Sequence, residues 1–186
     1  MKRSLLLLVG LPLLGSCALS QGSAPLQPFA TGMQRSSLGI SEYETSTIET
    51  PNAADVDRDA LRVNFTHGYF VTPDVEVGGM LGYNDIETGA STSTTWTLDA
   101  YGRYYFDNRS RVRTWGQVYA GIGNQDSGAT DDDLTEYGVG IGLSDMISEG
   151  TSFDLGLDYR TQSFDKSNVD VSGIFLTAFF SVFYGG

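Results

Sequence analysis

One histidine, His67, and one cysteine, Cys17, are all that this 186-residue chain offers for imidazole or thiolate chemistry. A zinc cage needs several such ligands, and a Ser–His–acid triad would have to use His67 as its base. A single Cys cannot build a disulfide framework. Asp131-Asp132-Asp133 is a carboxylate run of a kind that hard cations favour. It lacks the alternating ligands and the glycine of an EF-hand loop, so a solvated loop tip is expected. Gly138-Val139-Gly140-Ile141-Gly142 follows strand alternation and opens no helix onto a phosphate. No catalytic site, cofactor or metal is expected.

The chemistry that remains is patterned charge. Arg62, Glu76, Asp99, Arg103, Arg113, Glu136, Asp154, Asp158 and Arg160 all fall on one parity of alternating segments. Four cations and five anions on one face can neutralise one another where water is scarce, and this set is the expected lumen network. Over the whole chain, 11 Lys and Arg stand against 23 Asp and Glu, a net charge of −12 that argues against nucleic acid as a partner. The excess acid lies between the alternating segments, at Asp55, Asp57, Asp59, Asp126, Asp131 to Asp133 and Asp165.

The elements that must carry this network are strands. From about Leu38 onward the apolar residues recur with period 2, not 3.6. Val75, Val77, Leu81 and Tyr83 share one parity; so do Trp96, Leu98 and Tyr104, and Phe153, Leu155, Leu157 and Tyr159. The closing row is Ile174, Leu176, Ala178, Phe180, Val182 and Tyr184. Seven such segments are clear. An eighth, near Leu38 to Thr47, is interrupted because Glu42 falls on the apolar parity; a bulge or an early exit into a loop would account for that. Segments of about 10 residues, tilted, cross a bilayer core. The opposite parity is rich in glycine, which suits a narrow lumen crowded by Arg and Tyr. The expected fold is therefore all-β: an eight-stranded antiparallel up-and-down transmembrane β-barrel with its apolar rows facing lipid.

Residues 1–20 have the layout of a secretory signal, with Lys2 and Arg3 ahead of an apolar run from Leu5 to Leu14. Cleavage after Ala18-Leu19-Ser20 is one reading. The other takes Leu14-Gly15-Ser16-Cys17, which resembles a bacterial lipobox and makes Cys17 a lipidation site. Residues 21–36 read as a flexible linker and 37–186 as the barrel. With the N-terminus placed in the periplasm, two aromatic belts are expected. The periplasmic belt would hold Tyr69, Phe70, Tyr104, Tyr105, Phe106, Trp115, Phe153, Phe183 and Tyr184, and the outer one Tyr83, Trp96, Tyr137 and Tyr159. His67 then lies near the periplasmic turn, beside Tyr69.

Three stretches carry a family resemblance: Gly68 to Gly78, Ala100-Tyr101-Gly102-Arg103-Tyr104-Tyr105-Phe106, and Gly173 to Tyr184. In these the chain resembles the small outer-membrane β-barrel proteins of Gram-negative bacteria, the group of the outer membrane protein A and X types, over roughly 37 to 186. The ending Tyr184-Gly185-Gly186 departs from the terminal aromatic usual there. The resemblance implies a bacterial outer-membrane location with both termini periplasmic, outer-membrane lipid as surroundings, and barrel-assembly machinery and periplasmic chaperones during biogenesis. The expected function is a non-enzymatic, monomeric barrel with a plugged charged lumen and a structural or surface role, its extracellular loop partner unknown. A small pore or carrier, and a soluble lipocalin-like binder, are the alternatives.

Overall fold

The computed structural model describes residues 28–48, 56–88, 91–106, 109–128 and 131–185; for 42–48, 56–59 and 169 it describes the course of the backbone alone. The signal segment, Cys17 and the first part of the linker lie outside the described residues.

Eight strands follow one another: β1 (Gln34–Ile48), β2 (Val56–Thr72), β3 (Val75–Thr88), β4 (Ser91–Tyr105), β5 (Val112–Asp126), β6 (Asp131–Ser148), β7 (Thr151–Phe164) and β8 (Val169–Tyr184). Each pairs antiparallel with its chain neighbour, and β1 pairs with β8 to close the barrel. A row of partners starts at Gly39 and runs through Asn64, Gly82, Thr97, Gly123, Leu134 and Phe164 to Val169. On its other side Gly39 meets Phe179, ten residues further along β8. That stagger over eight strands tilts them by about 40°.

Side-chain alternation sorts the two faces as the sequence parity requires. Leu38, Leu61, Phe65, Leu81, Leu98, Val118, Ile141, Leu155, Leu157, Leu176 and Phe180 all lie on the exposed outer surface. The lipocalin-like alternative fails here, because it needs those residues to line a cavity. The inward parity holds the arginines, carboxylates, glycines and hydroxyls.

The strands are 14 to 18 residues long, well beyond the length that crosses a bilayer. Segments that look like polar loops, such as Thr92 to Thr94 and Asp131 to Asp133, are instead paired strand. Pairing in β-hairpins that rise past the apolar belt satisfies their backbone groups without needing apolar side chains. The end of the barrel bearing the β1–β2, β3–β4, β5–β6 and β7–β8 connections is the loop end. The other end carries both termini and is the terminal end.

The interrupted first strand forms a bulge. The β1–β2 register shifts between Ile40 and Glu42, and the extra residue, Ser41, is buried and accepts a hydrogen bond from Asn64 Nδ2 at 2.6 Å. β1 also starts earlier than the sequence suggests. Gln34, Arg35 and Ser36, read there as linker, already pair with Tyr69, Gly68 and His67.

Candidate functional site

The lumen is a stack of side-chain layers. At its terminal-end side Arg35 is completely buried. Its Nε donates to both oxygens of Glu76, at 2.9 and 3.1 Å, and its Nη1 donates to Asp154 at 3.0 Å and to Ser181 at 3.2 Å. Glu76 also receives the hydroxyls of Tyr101 and, at 3.2 Å, Tyr105. Asp154 receives Ser152 at 2.7 Å and Ser181 at 2.8 Å, with Arg103 Nη1 3.5 Å away. Arg103 is fixed further by Gln117, through Nε and Nη2, and lies 4.0 Å over the Trp115 ring. Each carboxylate thus meets a guanidinium and at least two hydroxyls, the condition under which buried charge is tolerated.

The loop-end side repeats the scheme around Glu136. Arg62 approaches it in a two-pronged pair, at 2.9 and 2.6 Å, while Gln162 Nε2 donates at 2.6 Å and Arg160 Nε lies at 3.9 Å. Arg62 is itself held by Thr97 and Asn64, and Thr97 donates to Asp99 at 3.2 Å. Asp99 Oδ1 and Asp158 Oδ1 receive no hydrogen bond from a protein donor and pack against the backbone of Gly121 and Gly140. Arg160 lies 3.9 Å over the Phe175 ring. Between the two charged layers sits a buried cluster of Met80, Tyr101 and Tyr119.

Glycine makes the crowding possible. A Cβ on Gly82 would come within 2.6 Å of both Arg62 Nη2 and Thr97 Oγ1. One on Gly156 would come within 2.7 Å of Trp115 and 2.8 Å of Thr177.

The terminal mouth is closed by aromatics. Phe29, which precedes β1, packs its ring 4.5 Å from Phe70, 4.9 Å from Tyr105 and 4.8 Å from Phe183. Trp115 and Met146 complete the buried cluster, and the Arg113 guanidinium lies 4.0 Å over the Phe29 ring. The segment is pinned by Gly32 N to Phe70 O and Phe70 N to Met33 O, both at 2.9 Å, with Gly32 at φ 92° where a side chain would be strained. This corrects the expected periplasmic belt. Phe70, Tyr105, Trp115 and Phe183 share the inward parity and belong to the plug, whereas Tyr69, Tyr104, Phe106 and Tyr184 are exposed outside. Tyr83, Trp96, Tyr137 and Tyr159 form the exposed belt nearer the loop end.

All nine residues singled out from the sequence thus point inward, eight of them buried and Asp158 partly so. Arg113 reaches into the plug, over the Phe29 ring. The residue that sequence reasoning missed is Arg35. Its signal is arithmetic: four cations against five anions leave one charge uncompensated, and Arg35 falls in the stretch that reads as linker.

His67 lies on the outer surface. Its Nδ1 is 3.1 Å from Ser36 Oγ and 3.4 Å from the Tyr184 hydroxyl, so its neighbour is Tyr184 across the β1 seam. Both partners are hydroxyls, which leaves this exposed pair without a carboxylate to orient the ring. The acidic run splits by alternation. Asp132 turns inward and accepts the backbone N–H groups of Lys166 at 2.8 Å and Ser167 at 2.9 Å, capping the β7–β8 turn, while Asp131 and Asp133 are exposed. Among the described residues no group of three or more His, Cys, Asp and Glu is placed to hold a metal ion.

An eight-stranded membrane-type barrel with a filled, charge-paired interior is the class that fold and site define. No protein-family model matches the sequence, and no curated protein matches it. Solved structures do. Neisserial surface protein A is 17% identical, with a TM-score of 0.51, over 81% of this chain and 94% of that one. The N-terminal β-barrel domain of Pseudomonas aeruginosa OprF is 19% identical over 83% and 98%, with a TM-score of 0.49. Ail, the attachment invasion locus protein of Yersinia pestis, is 17% identical over 81% and 98%, with a TM-score of 0.46. At such identities the likeness is one of fold.

Proposed function

We propose that this chain is a non-enzymatic, monomeric outer-membrane barrel that works as a rigid scaffold presenting its loop end outside the cell. The observation that carries this reading is the closed interior. Among the described residues Arg35, Arg62, Arg103, Arg113 and Arg160 share the inner face with Glu76, Asp99, Glu136, Asp154 and Asp158, and an aromatic plug closes the terminal mouth. Such a lumen stabilises the barrel and offers a solute no path. The apolar outer surface between two aromatic belts supports a membrane location, and the signal-like N-terminus supports export. Both termini are then periplasmic, and Cys17 is a candidate anchor.

Cysteine labelling tests location and orientation together. Ser127→Cys sits in the β5–β6 connection and Glu149→Cys in the β6–β7 turn. A membrane-impermeant maleimide added to intact cells should label the first and spare the second, with the parent chain as control. The reverse pattern would place the loop end in the periplasm.

A further inference from the structure

β8 pairs with β7 from Val169 to Val182. On its other side it pairs with β1 only from Tyr184 to Ala178. Past the bulge at Ser41, β1 continues with β2 alone as far as Ile48. Among the described residues, therefore, no strand covers the β1 side of Val169 to Thr177. The two outward apolar side chains of this stretch, Ile174 and Leu176, are the most exposed large hydrophobic residues described, at 74% and 68%. Ile174 pairs with Tyr159 of the belt nearer the loop end and Leu176 with Leu157 just below it, so the open edge begins a little below that belt and rises past it. Unpaired backbone groups cost several kcal/mol each in hydrocarbon but are tolerated where water reaches them.

The surroundings are acidic. Asp165 and Asp170 flank the start of β8 and are exposed, as are Asp131 and Asp133 on β6. Lys166 is exposed beside these carboxylates, and its Nζ already donates to the Asp131 carbonyl at 2.6 Å. An open strand edge in a negative field selects a strand of opposite charge.

We propose that the loop-end edge of β8 docks an extended basic peptide by strand addition. Its backbone would continue the sheet, its apolar side chains would cover Ile174 and Leu176, and its cations would face Asp165 and Asp170. The inference rests on the reading of the loop end as the working surface. It is independent of the sealed lumen, which conductance tests separately.

The test uses the folded protein in nanodiscs and three ten-residue probes. One alternates lysine and valine, one alternates glutamate and valine, and the third is the lysine peptide N-methylated at alternate residues. The first should bind and slow amide exchange across residues 170–177. The other two should bind at least about tenfold more weakly. Asp165→Lys with Asp170→Lys should weaken the lysine peptide likewise while heat-shifted gel migration stays intact. Equal binding of the N-methylated peptide would reduce the contact to charge alone and overturn the proposal. So would binding without protection of β8, or no binding.

Discussion

Arg35 on β1 and Glu76 on β3 form a pair in which both side chains are wholly shielded from solvent, with Nε 2.9 Å from Oε1. The same guanidinium reaches Asp154 on β7, so one residue at the closing seam ties together strands on both sides of the barrel. Removing it leaves two buried carboxylates short of a cation. Arg35→Ala should cost about 3–5 kcal/mol, the usual range for a broken buried pair. Urea unfolding in lipid vesicles measures this. A cost under about 1 kcal/mol, the level of a surface pair, would contradict the role assigned to Arg35.

Leu155 lies on the exposed face, between the two aromatic belts. If that face meets lipid, Leu155→Arg should destabilise the barrel by roughly 2–4 kcal/mol near the midplane. The same refolding assay reads it, and an unchanged midpoint would mean that this face is solvated.

Phe29 is held by the plug but precedes the strands. Phe29→Ala should release the 28–33 segment with little effect on the barrel transition. The Gly32 and Phe70 amides, which hold that segment in place, should lose protection from hydrogen exchange. Unaltered protection would show that the segment stays docked without its anchor.

Asp132 caps the β7–β8 turn through two backbone N–H groups. Asp132→Ala should speed exchange at Lys166 and Ser167 and leave the mid-barrel amides as they are. Unchanged exchange at both turn amides would remove the cap from the account.

Much of this architecture was legible because a strand has a period of 2, so parity alone sorts Leu155 and Leu157 from Asp154 and Asp158. Glu42 on the wrong parity calls for a bulge or an early exit into a loop; the strand bulges, and Ser41 is the extra residue. Parity also places Phe70, Tyr105, Trp115 and Phe183 in the plug, whereas height along the barrel does not tell belt from plug. Arg35 was harder to find, since Gln34 to Ser36 offer no apolar alternation and follow a Pro- and Gly-containing stretch. Ladder partners on β2 and β8, not local pattern, make that segment strand. The length of the strands beyond the belts was hidden for the same reason, because paired backbone there needs no apolar side chains.

Planar-bilayer recording of the purified monomer reads whether the lumen is sealed. A sealed lumen gives no stable unitary conductance in the parent protein. Arg103→Ala, which leaves Asp154 with Arg35 but removes the stacked guanidinium over Trp115, should reduce stability and bring no new ion selectivity. A stable, ion-selective conductance through the parent monomer would contradict a sealed lumen.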